Sequence, residues 1–113
     1  MKVVARAQGF TKEVTQSCAV FEYGPLDAPM NAAVSRIEGR YPDAHFALNE
    51  VCHELAYILD GEGFIVTPQA RRSLRAGDLV MIKPGDLYAW EGSMTLYMVC
   101  TPPWDAGQHK NVA

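Results

Sequence analysis

The 113-residue sequence predicts an all-β fold, a sandwich or a small barrel. Short runs of strand formers recur at about ten-residue intervals between Gly, Pro and Asp-Gly turn signals. No stretch of useful length repeats its apolar residues with a helical period. The run Leu55-Ala56-Tyr57-Ile58-Leu59 is apolar on both of its alternating faces, so each face needs a cover. One face meets the core and the other a further strand layer or a second copy, which predicts a homodimer.

At this length the chain is expected to form one domain, 1–113. Met1 to Gln8 reads as a first strand, with Gly9 bending out of it. Gln16 to Tyr23 reads as a second, closed by Gly24-Pro25, and Leu26 to Pro29 continues as a loop because proline cannot donate to a central ladder. Met30 to Arg40 alternates as a strand, with Val34, Arg36, Glu38 and Arg40 on one face and Ser35, Ile37 and Gly39 on the other. Tyr41-Pro42-Asp43 turns the chain, and His45 to Glu50 leads into the central segment. There Glu54 to Leu59 forms a strand, Asp60-Gly61 supplies the positive φ of a hairpin turn, and Phe64 to Thr67 returns. Pro68 to Ala70 is a break before the short polar strand Arg71 to Leu74. Ala76-Gly77-Asp78 turns into a strand at Leu79 to Lys83. Pro84-Gly85 turns into Leu87 to Trp90, which Gly92 separates from Met94 to Cys100. After Thr101-Pro102-Pro103-Trp104 the tail is expected to carry one turn of helix or to lie over the barrel.

A net charge of -3 gives no electrostatic reason to expect a nucleic acid as partner. Arg71, Arg72 and Arg75 form the only dense basic cluster and read as the solvated side of a strand pair. The N-terminus lacks the long apolar region of a signal peptide, and no apolar run reaches the length of a bilayer span, so a cytoplasmic protein without a membrane partner is expected. Cys18, Cys52 and Cys100 are odd in number and irregular in spacing, which suits reduced thiols. Cys52, beside His53 and Glu54, is the thiol whose neighbours could activate it.

Two stretches resemble the motifs of the cupin family. In the first, Glu54 stands at the motif's glutamate position, and Tyr57, Ile58, Leu59, Gly61 and Gly63 follow at its aromatic, aliphatic and glycine positions. Its two histidine positions hold Leu48 and Glu50. The second runs from Gly77 through Pro84-Gly85 to Tyr88, which stands at the histidine position. The resemblance implies a double-stranded β-helix, or jelly-roll barrel, with Glu54 and Tyr88 pointing inward. It also turns inward the face that Leu48 and Glu50 share, and it points to a homodimer as well.

Two carboxylates beside a phenol in an apolar barrel need a partner or a raised pKa. Arg36 or Arg40 could supply the counter-charge if their face is the interior one. The first functional reading is therefore a barrel that binds a small polar or sugar-like molecule through Arg36, Glu50, Glu54, Tyr88 and Trp90. A second is an isomerase, epimerase or lyase with Glu54 or Glu50 as base and Tyr88 as acid, with or without a divalent metal. A third is a structural or interaction module with a packed barrel. A metal would draw on Glu50, His53, Glu54 and Tyr88, an oxygen-rich set that suits hard ions better than a tightly held redox metal. Trp104 is expected to act as a lid or interface residue, while His45 and His109 show no partner. No phosphate-binding loop, dinucleotide fingerprint or Ser-His-Asp order is present.

Overall fold

The computed structural model describes residues 1–23 and 29–113, so most of the loop expected between Gly24 and Pro29 lies outside the described residues. Among those described, nine strands form: β1 (Phe10–Thr15), β2 (Cys18–Glu22), β3 (Asn31–Tyr41), β4 (Phe46–Asn49), β5 (His53–Val66), β6 (Arg71–Arg75), β7 (Leu79–Ile82), β8 (Ala89–Thr101) and β9 (His109–Val112). Seven belong to one sheet, ordered β1-β2-β3-β8-β5-β6 with β7 also on β5, and β4 and β9 pair separately. The result is the expected all-β jelly-roll barrel. No helix among the described residues is long and apolar enough to cross a membrane.

The barrel is built around the antiparallel pair β5 and β8, which stay in register from His53 opposite Thr101 to Val66 opposite Ala89, with one shift between Ile58 and Asp60. On its other edge β5 changes partner, taking β7 along Glu54 to Tyr57 and β6 along Glu62 to Val66. Alternation along β5 then sorts the faces. Glu54, Ala56 and Ile58 are buried, whereas Tyr57 and Leu59 are exposed. Ile37, Ile58, Trp90, Met94 and Leu96 are the large residues that fill the core.

Four expectations change here. Residues 1–8 form no strand, only a 3-10 turn at Arg6–Gln8, because the strand that finds a partner is β1, joined to β2 by the tight turn at Gln16-Ser17. The hairpin at Asp60-Gly61 is absent, and so is the break at Gly92. Gly61 has φ +85° beside the register shift, so its positive φ serves a bulge inside one continuous strand. Gly63 and Gly92 face each other in the ladder at a very close backbone approach. A Cβ on Gly92 would lie 2.5 Å from the Gly63 Cα, and one on Gly63 would lie 2.1 Å from the Glu91 carbonyl oxygen. The tail adds a strand to its single helical turn: after Ala106–Gln108 it forms β9 and pairs with β4.

This close approach predicts unequal sensitivity to alanine. Gly63→Ala and Gly92→Ala should each lower stability by roughly 2–4 kcal/mol, because backbone must move to admit the methyl group. Gly77→Ala has open space around it and should lose only about 1–2 kcal/mol, for its positive φ. Equal shifts in urea midpoint for all three would contradict a tight β5–β8 crossing.

Candidate functional site

A cavity of about 140 Å³ lies inside the barrel, lined by Cys18, Ser35, Ile37, Tyr41, Glu54, Tyr88, Trp90, Met98, Cys100, Trp104 and His109, with the half-buried Glu22 and the exposed Lys12 and Val14 also along it. That is room for a group about the size of one six-membered ring. Each polar side chain is brought there by a different element. Glu54 is the second residue of β5 and faces Cys100 of β8 in the ladder. Tyr88 precedes β8, and its backbone exchanges two 2.9 Å hydrogen bonds with Ala47 of β4. Tyr41 ends β3 opposite Trp90, and His109 opens β9 opposite Asn49.

Glu54 is 3% exposed. Its Oε1 accepts a 3.6 Å hydrogen bond from the Cys100 thiol, and its Oε2 has no partner among the described residues. Burial pushes the carboxyl up to about 7, while hydrogen bonding from Cys100 and Asn49 acts the other way. The Asn49 interaction is weak, because Asn49 Nδ2 also lacks a partner at hydrogen-bond distance. Burial, reinforced by Glu54 and Tyr41, holds the Tyr88 phenol well above its ordinary range. Burial likewise pushes Tyr41 up to about 12, with Cys18, Glu54 and Asp43 adding to it. The Cys100 thiol is raised strongly, mainly by burial and by the Glu54 charge. Among these groups Glu54 is the one poised to change charge near neutrality.

A second cluster adjoins it. His109 Nδ1 lies 2.8 Å from Asn49 Oδ1, and His109 Nε2 lies 2.9 Å from the Tyr41 hydroxyl. Trp104 Nε1 donates to Asn49 Oδ1 at 3.2 Å. The Tyr41 and His109 rings are stacked, 10° from parallel. Burial lowers the His109 pKa.

The structure thus places Glu54, Tyr88 and Trp90 around one cavity and excludes other candidates from it. Glu50 is exposed and pairs with Lys110 at 3.8 Å, because β4 ends at Asn49 and its inward residues are Ala47 and Asn49, one position out of step with Leu48 and Glu50. The positive φ of His45, +66°, lies just ahead of that strand. Arg36 is on the outer face of β3, paired with Glu38 and bonded to Thr95 and Ser93, since Ser35 and Ile37 take the inner face. Arg40 binds Glu91 at 3.3 Å and two backbone carbonyls. His53 is exposed. Cys52 is buried, accepts from Gln108 at 3.1 Å, and has its thiol pKa raised chiefly by burial, so it is not activated. Tyr41, Asn49 and His109 had no local signal, because their meeting depends on the β4–β9 pairing.

A family model, the EutQ-like cupin domain, matches residues 42–97. The chain is a cupin. Among solved structures this cupin is similar to a variant of Streptomyces PAC13 with uridine, at 15% identity and TM-score 0.87, covering 100% of this chain and 92% of the other. Pac13 is described as a nucleoside dehydratase, and its variants at one histidine and two tyrosines have been solved with uridine. The polyketide cyclase RemF from Streptomyces resistomycificus aligns at 17% identity and TM-score 0.73, covering 100% of this chain and 86% of that one. KdgF from Halomonas sp. aligns at 12% identity and TM-score 0.70, over 89% and 94%. At these identities the likeness is one of fold. No curated protein matches the sequence.

The donor set does not fit the metal centre that cupins commonly hold. Of Glu50, His53, Glu54 and Tyr88, two face solvent, and the described residues contain no group of three His, Cys, Asp or Glu side chains placed to share an ion. Inside the cavity the carboxyl stands among phenols and thiols whose burial keeps them protonated.

Because the folded protein holds the Glu54 proton more tightly than the unfolded chain, stability contributed at this site is present below the ordinary carboxyl pKa. It is lost as pH rises toward about 7. Glu54→Gln does not titrate. Its stability relative to the native protein should therefore increase between about pH 4.5 and 7 and then level off, by on the order of 2–3 kcal/mol. Urea unfolding across that range checks this; a pH-independent difference would show that the carboxyl is not raised.

Proposed function

We propose that this cupin is a lyase- or isomerase-type enzyme acting on a small, hydroxyl-bearing, sugar-like molecule, with Glu54 as its proton-transfer group. The observation that carries the reading is the unpartnered Oε2 of a buried carboxyl that lines a cavity. A carboxyl held near pKa 7 can either give or take a proton at neutral pH. An oxygen without a protein partner is free to do so with a ligand. Tyr88, kept neutral by burial, is a hydroxyl donor to the same ligand, and Trp90 walls the chamber. That several proteins of this shape carry enzyme names, a nucleoside dehydratase, an ectoine synthase and a polyketide cyclase among them, supports the class of reaction.

Titration calorimetry with uridine and with ribose as probes tests it. At least one should bind at millimolar strength or tighter, with Glu54→Gln and Tyr88→Phe weakening it at least fivefold while circular dichroism stays unchanged. A cavity that takes neither probe would favour a packed structural module.

We also propose a homodimer formed through the outer face. Register aligns Leu79, Tyr57, Tyr97 and Val34 across β7, β5, β8 and β3. Tyr57, Leu79, Met81 and Tyr97 are 43%, 60%, 61% and 41% exposed, an apolar row on one sheet face. Light scattering at tens of micromolar should give the mass of two chains, and Leu79→Glu should give one. A monomeric native protein would contradict the pairing.

A further inference from the structure

The cluster at the end of β3 has a hydrogen-bond polarity that its donors dictate. An indole N–H can only donate, so Trp104 Nε1 fixes the atom it meets on Asn49 as the amide oxygen. With the amide reversed, two donors would face each other. That same oxygen lies 2.8 Å from His109 Nδ1, so Nδ1 must carry a hydrogen. In the neutral imidazole Nε2 is then bare, and the Tyr41 hydroxyl 2.9 Å away donates to it. Tyr41 therefore turns its proton toward His109 and its oxygen lone pairs are left for the cavity, which both residues line. Trp104 is itself held by its backbone N–H on Asn31 Oδ1 at 3.1 Å.

We propose that Tyr41 and His109 form the second proton-transfer pair of this cavity, with Tyr41 the group that touches the ligand and His109 a positioning residue that receives its proton. The proposal rests on the lyase-type reading above and assigns the half of the reaction that Glu54 leaves open. The ligand class it fits is a hydroxy aldehyde or hydroxy ketone, whose C–H beside the carbonyl is acidic enough to surrender. That C–H bond breaks and its electron pair stays with the carbonyl-conjugated carbon. The proton bonds to Tyr41 Oη as the Tyr41 proton moves to His109 Nε2. Where a hydroxyl lies one carbon further on, its C–O bond breaks with the pair on oxygen, and the proton on Glu54 completes a departing water. The protein is left as imidazolium and carboxylate, and exchange with solvent water restores both. Burial supports the assignment: it lowers His109, which is thus neutral at pH 7, and keeps Tyr41 a phenol. The titratable groups facing Tyr41 are Cys18, Glu54, Asp43 and Tyr88 besides His109 itself, while no charged group contributes to the His109 shift.

Long-range proton–nitrogen NMR of the labelled native protein reads the tautomer directly. Protonated Nδ1 and bare Nε2 are expected, with titration below the ordinary imidazole range; an Nε2–H tautomer, or an imidazolium at pH 7, overturns the pair. The chemistry is read from deuterium uptake at carbon 2 of glyceraldehyde in heavy water. Native protein should accelerate it, with a rate that falls as His109 protonates, and Tyr41→Phe and His109→Gln should each lose at least tenfold. Tyr41→Phe should also lose the acidic limb of the pH profile, which a merely structural role would not produce. Acceleration undiminished in both variants overturns the pair and leaves the reading of Glu54 standing. A native protein that neither accelerates uptake nor binds uridine or ribose overturns the reading itself and the pair with it.

Discussion

The rest of this structure depends on the unbroken ladder between β5 and β8. Two strands of 14 and 13 residues must stay paired while curving around a chamber, and uniform pairing of that length resists such curvature. The register shift at Ile58 and Asp60 and the glycine contact between Gly63 and Gly92 concentrate the bend near the middle. The outcome reaches the site directly. With the ladder closed at both ends, Glu54 is fixed opposite Cys100 and Trp90 opposite Ile65. Neither can leave the interior without breaking strand pairing on both sides of it.

That constraint brings an electrostatic problem with it. A carboxyl held inside an apolar barrel without a cation must either take up a proton or be solvated by dipoles. The arginines that could have neutralised it spend their charge outside, Arg36 on Glu38 and Arg40 on Glu91. What surrounds Glu54 instead is a shell of weak or reluctant donors, the Cys100 thiol at 3.6 Å and the Asn49 amide beyond hydrogen-bond reach. The shell offsets only part of the desolvation, and the residual upward shift is the property a neutral-pH acid or base requires.

The sequence made the barrel legible because turn residues and strand formers alternate at short range; period two puts Glu54, Ala56 and Ile58 on one face, and the motif resemblance turned that face inward. It misled where one residue type serves two geometries. Asp60-Gly61 has the composition of a hairpin turn, yet positive φ is equally what a bulge needs, and only the presence of β8 alongside decides between them. The displacement of Glu50 by Asn49 has a similar origin, since a one-residue slip in a four-residue strand inverts its faces and nothing within Phe46–Asn49 fixes its phase. Arg36 could be assigned to either face until Ser35 and Ile37 were seen to take the inner one.

Tyr41 and His109 were beyond reach for a different reason, because 68 residues separate them and no periodicity links a β3 terminus to a tail strand. Their contact exists because β9 pairs with β4, and β4 is tied to Tyr88 by the two bonds of Ala47. The tail thereby couples the wall of the chamber to its chemistry: Asn49 faces His109 across the small sheet and accepts from Trp104 on the way into it. An asparagine at that position, rather than an aspartate, orients the imidazole through a neutral oxygen, so the ring is held in one tautomer without being made more basic. A charged partner would have raised His109 and kept its Nε2 protonated, turning the Tyr41 hydroxyl from an acceptor toward the cavity into a donor. The neutrality of Asn49 is thus what leaves the lone pairs of Tyr41 facing the cavity.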